Sequence, residues 1–172
     1  CPQYFRNGNV SALGLPTLSK IQSRVLCGGL KAILTVKDGK YNCGLALSGD
    51  GSVMAVSNRD THKVSVYSLS SSLATIVRTF GGKGSGPGQF YCPFKLCFAA
   101  NGNLLVAEYN NKRVQEVTLT GEHVRFVGVG VIDGAFAGLA ANTELIVVGK
   151  GYGVPTQIMM FDAVSGSVVR SF

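Results

Sequence analysis

An all-β fold built from repeated four-stranded antiparallel units is what this sequence predicts. Three observations carry the expectation. Glycine supplies 23 of the 172 residues, about twice the usual share, which marks a turn-rich chain. Short apolar runs alternate with turn signals throughout, and no stretch sustains a helical period. The pattern also repeats: the glycine-rich segment from Phe80 to Phe90 returns from Phe126 to Phe136, with aromatic ends and spaced glycines in both.

The elements follow one order in each unit. A short apolar strand comes first, at Leu45 to Leu47, Leu96 to Phe98, and Leu139-Ala140. A turn follows, at Asp50-Gly51, Asn101-Gly102 and Asn142-Thr143. The first two read as type I′ hairpin turns, because Asn, Asp and Gly tolerate the positive φ that such turns need. The second strand is nearly continuous aliphatic: Val53 to Val56, Leu104 to Ala107, Leu145 to Val148. The third alternates, at Val64 to Tyr67, Val114 to Val117 and Ile158 to Phe161. The fourth carries Val77-Arg78, Val124-Arg125 and Val169-Arg170. An aliphatic second strand beside an alternating third fits a sheet running from a buried interior to a wetter edge. Four antiparallel strands in about 40–45 residues is the signature of a β-propeller blade. The units fall at 41–80, 81–126 and 127–172, and residues 1–40 form a partial blade or a tail. Three blades are fewer than the usual closed ring. The chain therefore reads as a piece of a larger propeller, or as an arc whose copies complete one another, since open blade faces drive association.

The net charge of +7 points towards an anionic partner, but its distribution weakens that reading. Arg6, Lys20, Arg24, Lys31, Lys37 and Lys40 crowd the first forty residues, where Asp38 is the sole acid. The regular part of the chain is almost neutral. No apolar run reaches the roughly 18 residues of a membrane helix, so no membrane partner is expected. The five cysteines lack zinc-ribbon spacing and read as buried free thiols, which favours a cytoplasmic place. A disulfide in an extracellular chain is the alternative, and Asn9-Val10-Ser11 is a glycosylation sequon.

One segment resembles a known family. Gly81 to Phe90, then Pro93, then Glu108, Asn111, Arg113, Val114 and Gln115 are similar to an NHL repeat: a glycine-rich loop ending in Gly-x-Phe, a proline, an acid, Asn three later and Arg five later. The first unit departs, with Ser57, Asp60 and Lys63 and one residue inserted. The third has Gly149, then Gly151 to Pro155, without Asn-x-Arg. The resemblance implies that Glu108, Asn111 and Arg113 are structural repeat positions that hold the turn between strands. It also implies a non-catalytic binding or scaffold module whose surface serves protein–protein interaction, with RNA binding through a basic face as the alternative.

Arg59, His62, Lys63, Tyr109, Asn110 and Lys112 fall in equivalent turns between second and third strands, and form the candidate binding rim. The glycine-rich loops lack Gly-Lys-Ser/Thr and a following helix, so they read as connections between blades rather than phosphate cradles. His62 and His123 occupy different blade positions, and no catalytic residue, resident metal or cofactor is assigned. A propeller lactonase of the gluconolactonase type binds calcium through Glu, Asn and Asp. Asn58, Asp60, Glu108 and Asn110 are the only plausible donors for that reading.

Overall fold

The structure is a computed structural model that describes residues 41–70, 74–133, 135–151 and 157–172. The expectation for residues 1–40 lies outside the described residues. The described strands form three four-stranded antiparallel sheets. The first holds β1 (Asn42–Leu47), β2 (Val53–Asn58), β3 (Lys63–Leu69) and β4 (Ala74–Gly81). The second holds β5 (Pro93–Phe98), β6 (Leu104–Glu108), β7 (Arg113–Val117) and β8 (His123–Val127). The third holds β9 (Phe136–Ala141), β10 (Leu145–Lys150), β11 (Gln157–Asp162) and β12 (Val168–Ser171). Strands lie in chain order within every sheet. The first strands of successive sheets lie side by side, β1 against β5 and β5 against β9. They form the inner line from which each sheet radiates.

Two apolar layers join the sheets. Ala46, Ala55 and Val64 of the first meet Leu96, Leu104, Val106 and Val117 of the second, with Phe90 between them. Leu105, Ala107, Val114 and Val127 of the second meet Phe136, Ile146, Val148, Met159 and Phe161 of the third. The middle sheet is thus covered on both faces. Every residue of β6 and β7 is buried, whereas β10 alternates because only one of its faces is covered. The alternation of Val114 to Val117 therefore does not mark a wet edge. Gln115 and Glu116 are buried too, and they require polar partners.

The recurring Val-Arg pair has a geometric cause. The register of β4, β8 and β12 against its neighbour skips one residue in each case, and the skipped residues are Val77, Val124 and Val169. Each valine is a β-bulge. The arginine that follows reaches the next sheet in two of the three places. Arg78 donates to the Thr120 carbonyl at 3.3 Å, and Arg125 donates to the carbonyls of Val164, at 2.6 Å, and Ala163. Arg125 also pairs with Glu116 at 2.7 Å. Burial opposes ionisation of Glu116, but hydrogen bonds from Asn101, Asn103 and Arg125 hold its carboxyl below the ordinary range.

Three details differ from the sequence reading. The hairpin turns are not type I′, because only Gly51 and Gly102 have positive φ, at 74° and 83°. Asp50 and Asn101 instead accept a hydrogen bond from the amide two residues on, each at 3.0 Å. This is the Asx geometry that lets a turn close without positive φ at that residue. Secondly, the first unit has no inserted residue. Asn58 pairs with Lys63 as Glu108 pairs with Arg113 and Lys150 with Gln157. Thirdly, the glycine-rich segments are equivalent connections, but Phe126 does not correspond to Phe80. Phe80 and Val127 pair with the equivalent Val64 and Val114, and the second connection, 128–135, is shorter than the first, 82–92. Phe90 packs on Gly81 as Ile132 packs on Gly128, while Phe136 belongs to β9.

Candidate functional site: a basic end of the sheets

Strand direction assigns every turn to one of two ends. The upper end carries the β2–β3 and β6–β7 turns and both connections between sheets. The backbone repeats closely there. The amides of Arg59, Tyr109 and Gly151 donate to the carbonyls of Tyr41, Cys92 and Ala135, at 3.2, 3.0 and 2.9 Å. Tyr41 and Cys92 share a positive φ, and so do His62 and Lys112. These matched conformations fix where the turn side chains stand.

At the heart of the upper end, Glu108 is fully buried. It accepts from Arg113 Nε at 2.7 Å, from the Tyr91 amide at 3.1 Å, from Gln115 Nε2 at 3.3 Å, and from Asn111. Asn111 also donates to the Gly84 carbonyl at 2.9 Å, and Gln115 accepts from the Gly88 amide at 2.7 Å. The guanidinium of Arg113 lies 3.8 Å over the Phe126 ring. This network ties the first connection to the middle sheet. It also occupies the loop amides at Gly84, Gly86 and Gly88, which donate to Phe90, Gln89 and Gln115. The same strand position in the third sheet inverts the charge: Lys150 pairs with Asp133 of the second connection.

The calcium donors weighed from sequence do not gather. Glu108 is saturated by Arg113, Asn111, Tyr91 and Gln115, and Asn58 is taken up by Asn42 and its own turn. Among the described residues no three His, Cys, Asp or Glu side chains sit together as metal ligands do. The histidines lie on separate sheets. His123 meets Gln115 at 2.9 Å and the Phe126 ring. The ring nitrogen Nδ1 of His62 accepts from the Cys92 amide at 3.1 Å, across the first and second sheets. Burial, then Lys83, pushes the His62 pKa down, with Asp60 opposing. Its neutral form is the one that makes the inter-sheet bond.

A pH dependence follows. Because the folded state holds His62 neutral, the unfolded chain binds the extra proton below the ordinary histidine range, near 6.5. The stability that His62 confers is complete above that value and is lost as pH falls through it. Chemical denaturation between pH 7.5 and 5 should show this loss, and the His62→Gln variant should lack that component. Equal pH slopes in both proteins would refute it.

The rim residues occupy this end. Arg59, His62 and Lys63 flank the β2–β3 turn; Tyr109, Asn110 and Lys112 flank the next. Sequence reading missed four neighbours that complete the surface: Tyr41, Lys83, Phe94 and Lys95. Only the stacking of β5 on β1 brings them alongside. Arg59 lies 5.9 Å from the Tyr41 ring, Lys83 5.0 Å from Tyr91, and Lys95 5.0 Å from Phe94. Phe94 and Tyr109 have centroids 6.1 Å apart at 60°.

Charge is sorted between the ends. Asp50, Glu116, Glu122, Glu144 and Asp162 belong to the lower turns or the strand ends that feed them. Asp60, Glu108 and Asp133 belong to the upper end, and each has a cation beside it: Arg59, Arg113 and Lys150. Lys63, Lys83, Lys95 and Lys112 have no carboxylate within ion-pair distance among the described residues. A near-neutral segment thus presents one strongly basic end. A larger cavity of about 740 Å³ opens at the lower end along β1, β5 and β9. Its walls are mainly apolar, and the carboxyl of Asp50, held at about 2 by Ser48 and Ser52, already accepts hydrogen bonds from both within its turn.

No family model and no curated protein matches this sequence. Solved structures do match. Hydrazine synthase of Kuenenia stuttgartiensis aligns over 74% of this chain and 36% of its own, with 16% identity and a TM-score of 0.54. Hsv2 of Kluyveromyces lactis aligns over 77% and 36%, with 12% identity and a TM-score of 0.55. A Bacteroides caccae protein of unknown function aligns over 76% and 45%, with 13% identity and a TM-score of 0.53. The fold is a β-propeller. The chain spans less than half the length of each of these three chains, and its three described sheets are blades of that fold. Among the described residues Cys43, Cys92 and Cys97 are free thiols, and burial pushes Cys97 up to about 12.

Proposed function

We propose that this chain is a non-catalytic binding module of an NHL-like propeller, and that its upper end takes a protein partner. The observation that supports this most is the sorting of charge. Four lysines that form no ion pair among the described residues stand on one end, among exposed aromatic side chains, and such an end favours an anionic surface through steering and register. The NHL resemblance adds the turn-holding roles of Glu108, Asn111 and Arg113, which carry no chemistry once their bonds are made. RNA is the second reading, favoured by the lysines of the same end, because phosphate contacts supply most sequence-independent affinity.

Binding of a fluorescein-labelled Asp/Glu-rich peptide and of an oligouridylate tests both. Charge reversal of Lys83 and Lys112 to Glu should weaken the peptide by about tenfold at low salt, with the difference shrinking as the Debye length falls. An affinity for oligouridylate that is the tighter of the two and falls steeply with salt would transfer the function to RNA. Unchanged binding in the reversed variant would remove the upper end as the site.

A further inference from the structure

Between the first and second blades the upper end holds a cleft of about 450 Å³ lined by Arg59, Cys92, Phe94, Tyr109 and Asn110. Its walls come from three segments: the β2–β3 turn, the start of β5 and the β6–β7 turn. We propose that this cleft is the recognition pocket for an acidic peptide, seating an apolar or aromatic side chain of the partner on Phe94 and Tyr109 and a neighbouring carboxylate on Arg59. This rests on the reading of the upper end as a protein-binding surface.

The chemistry of the lining carries the choice of ligand. Arg59 is exposed and holds Asp60 only loosely, at 3.9 Å, with both side chains about half open. A partner carboxylate can therefore engage the guanidinium fork, which a fixed ion pair would deny it. The backbone amide of Asn110 donates to the Tyr91 carbonyl at 3.3 Å, but among the described residues its side-chain Nδ2 donates only to Cys92 Sγ, at 3.4 Å, a weak acceptor. It is free to turn to a peptide carbonyl. Phe94 and Tyr109 form the apolar floor, their rings tilted at 60°, and Tyr109 is 45% exposed.

The same geometry disfavours a nucleic acid base here. Stacking needs an open aromatic face. Tyr41 and Phe94, the rings beside Arg59 and Lys95, each have a cation set over them, and Tyr91 has Lys83. The remaining ring, Tyr109, is inclined against Phe94 rather than parallel to it. A side chain resting on Phe94 and Tyr109 needs no such parallel platform. The cleft also depends on two blades together, because Arg59 and Tyr109 stand at equivalent positions of adjacent repeats.

The test uses a fluorescein-labelled peptide rich in Glu and Phe, titrated against the chain and read by anisotropy. Arg59→Ala and Tyr109→Ala should each weaken it by about tenfold or more, as truncation of an anchor does. Replacing Phe by Gly in the peptide should erase the Tyr109 effect and keep the Arg59 effect. Glu144→Ala, at the lower end, should change nothing. Circular dichroism of each variant checks that the sheets remain. If Lys83 and Lys112 reversal weakens the peptide while Arg59→Ala and Tyr109→Ala do not, the cleft is overturned and the basic end survives. If none of these substitutions matters, both fall. Tighter binding of oligouridylate than of peptide, lost in Tyr109→Ala, would make the cleft a base pocket and overturn the peptide assignment.

Discussion

Replacing Glu108 with alanine should destabilise the chain by about 3–5 kcal/mol, the range found when one partner of a buried ion pair is removed. The reasoning starts from what remains. Arg113 is 7% exposed and keeps its charge, but it loses the Nε bond to Glu108. Its Nη2 is already buried with no hydrogen-bond partner among the described residues, so Phe126 would be the main compensation left to it. Asn111, the Tyr91 amide and Gln115 lose an acceptor at the same time. The first inter-blade connection would lose its tie to the middle sheet at Tyr91 as well. Urea denaturation should register the loss in midpoint. The double variant Glu108→Leu with Arg113→Met should recover much of it, because an apolar pair of similar bulk leaves no charge behind. A single variant within about 0.5 kcal/mol of the parent would show that the network is dispensable.

That network shows how much of the molecule was legible in the residues. The blade pattern was readable because each second strand, such as Leu104 to Ala107, is uniformly aliphatic and each hairpin carries a turn signal. The polar cluster at Glu108 was visible as spacing alone. Its equivalents were not, because the same strand position holds Asn58 in the first blade and Lys150 in the third. Pairing register reveals the equivalence, and side-chain chemistry hides it. The Val-Arg repeat was plain in the sequence, yet nothing in it announced a bulge: valine favours strands in general, and only the skipped pairing distinguishes Val77, Val124 and Val169. The candidate rim residues were legible from their equivalent turns, while Tyr41, Lys83, Phe94 and Lys95 escaped notice because they reach that end by stacking between blades. Charge sorting was hidden for a similar reason. A total near neutrality over residues 41–172 carries no information about which strand ends hold the acids.

The second large effect concerns Phe90, the plug of the joint between the first two blades. It is fully buried in the apolar layer that contains Ala46 and Val64 on one side and Leu96 and Val106 on the other. Its ring fills the space over Gly81, where an added Cβ would come within 2.5 Å of it. Its backbone is pinned by bonds with Gly82 and Gly84, at 2.8 and 3.1 Å. Alanine there cannot be repaired by collapse of so tied a loop, so the cost should lie in the 3–5 kcal/mol range of buried Phe→Ala changes. The position of the loss matters as much as its size. Stacked repeats are stabilised by their nearest-neighbour faces. Hydrogen exchange in Phe90→Ala should accelerate first in β1 to β4, while β9 to β11 retain their protection. Ile132 plugs Gly128 in the next joint, so Ile132→Ala should reverse the pattern and expose β9 to β11 first. Uniform acceleration in both variants would mean that the blades melt as one cooperative body, and that neither plug governs its own joint.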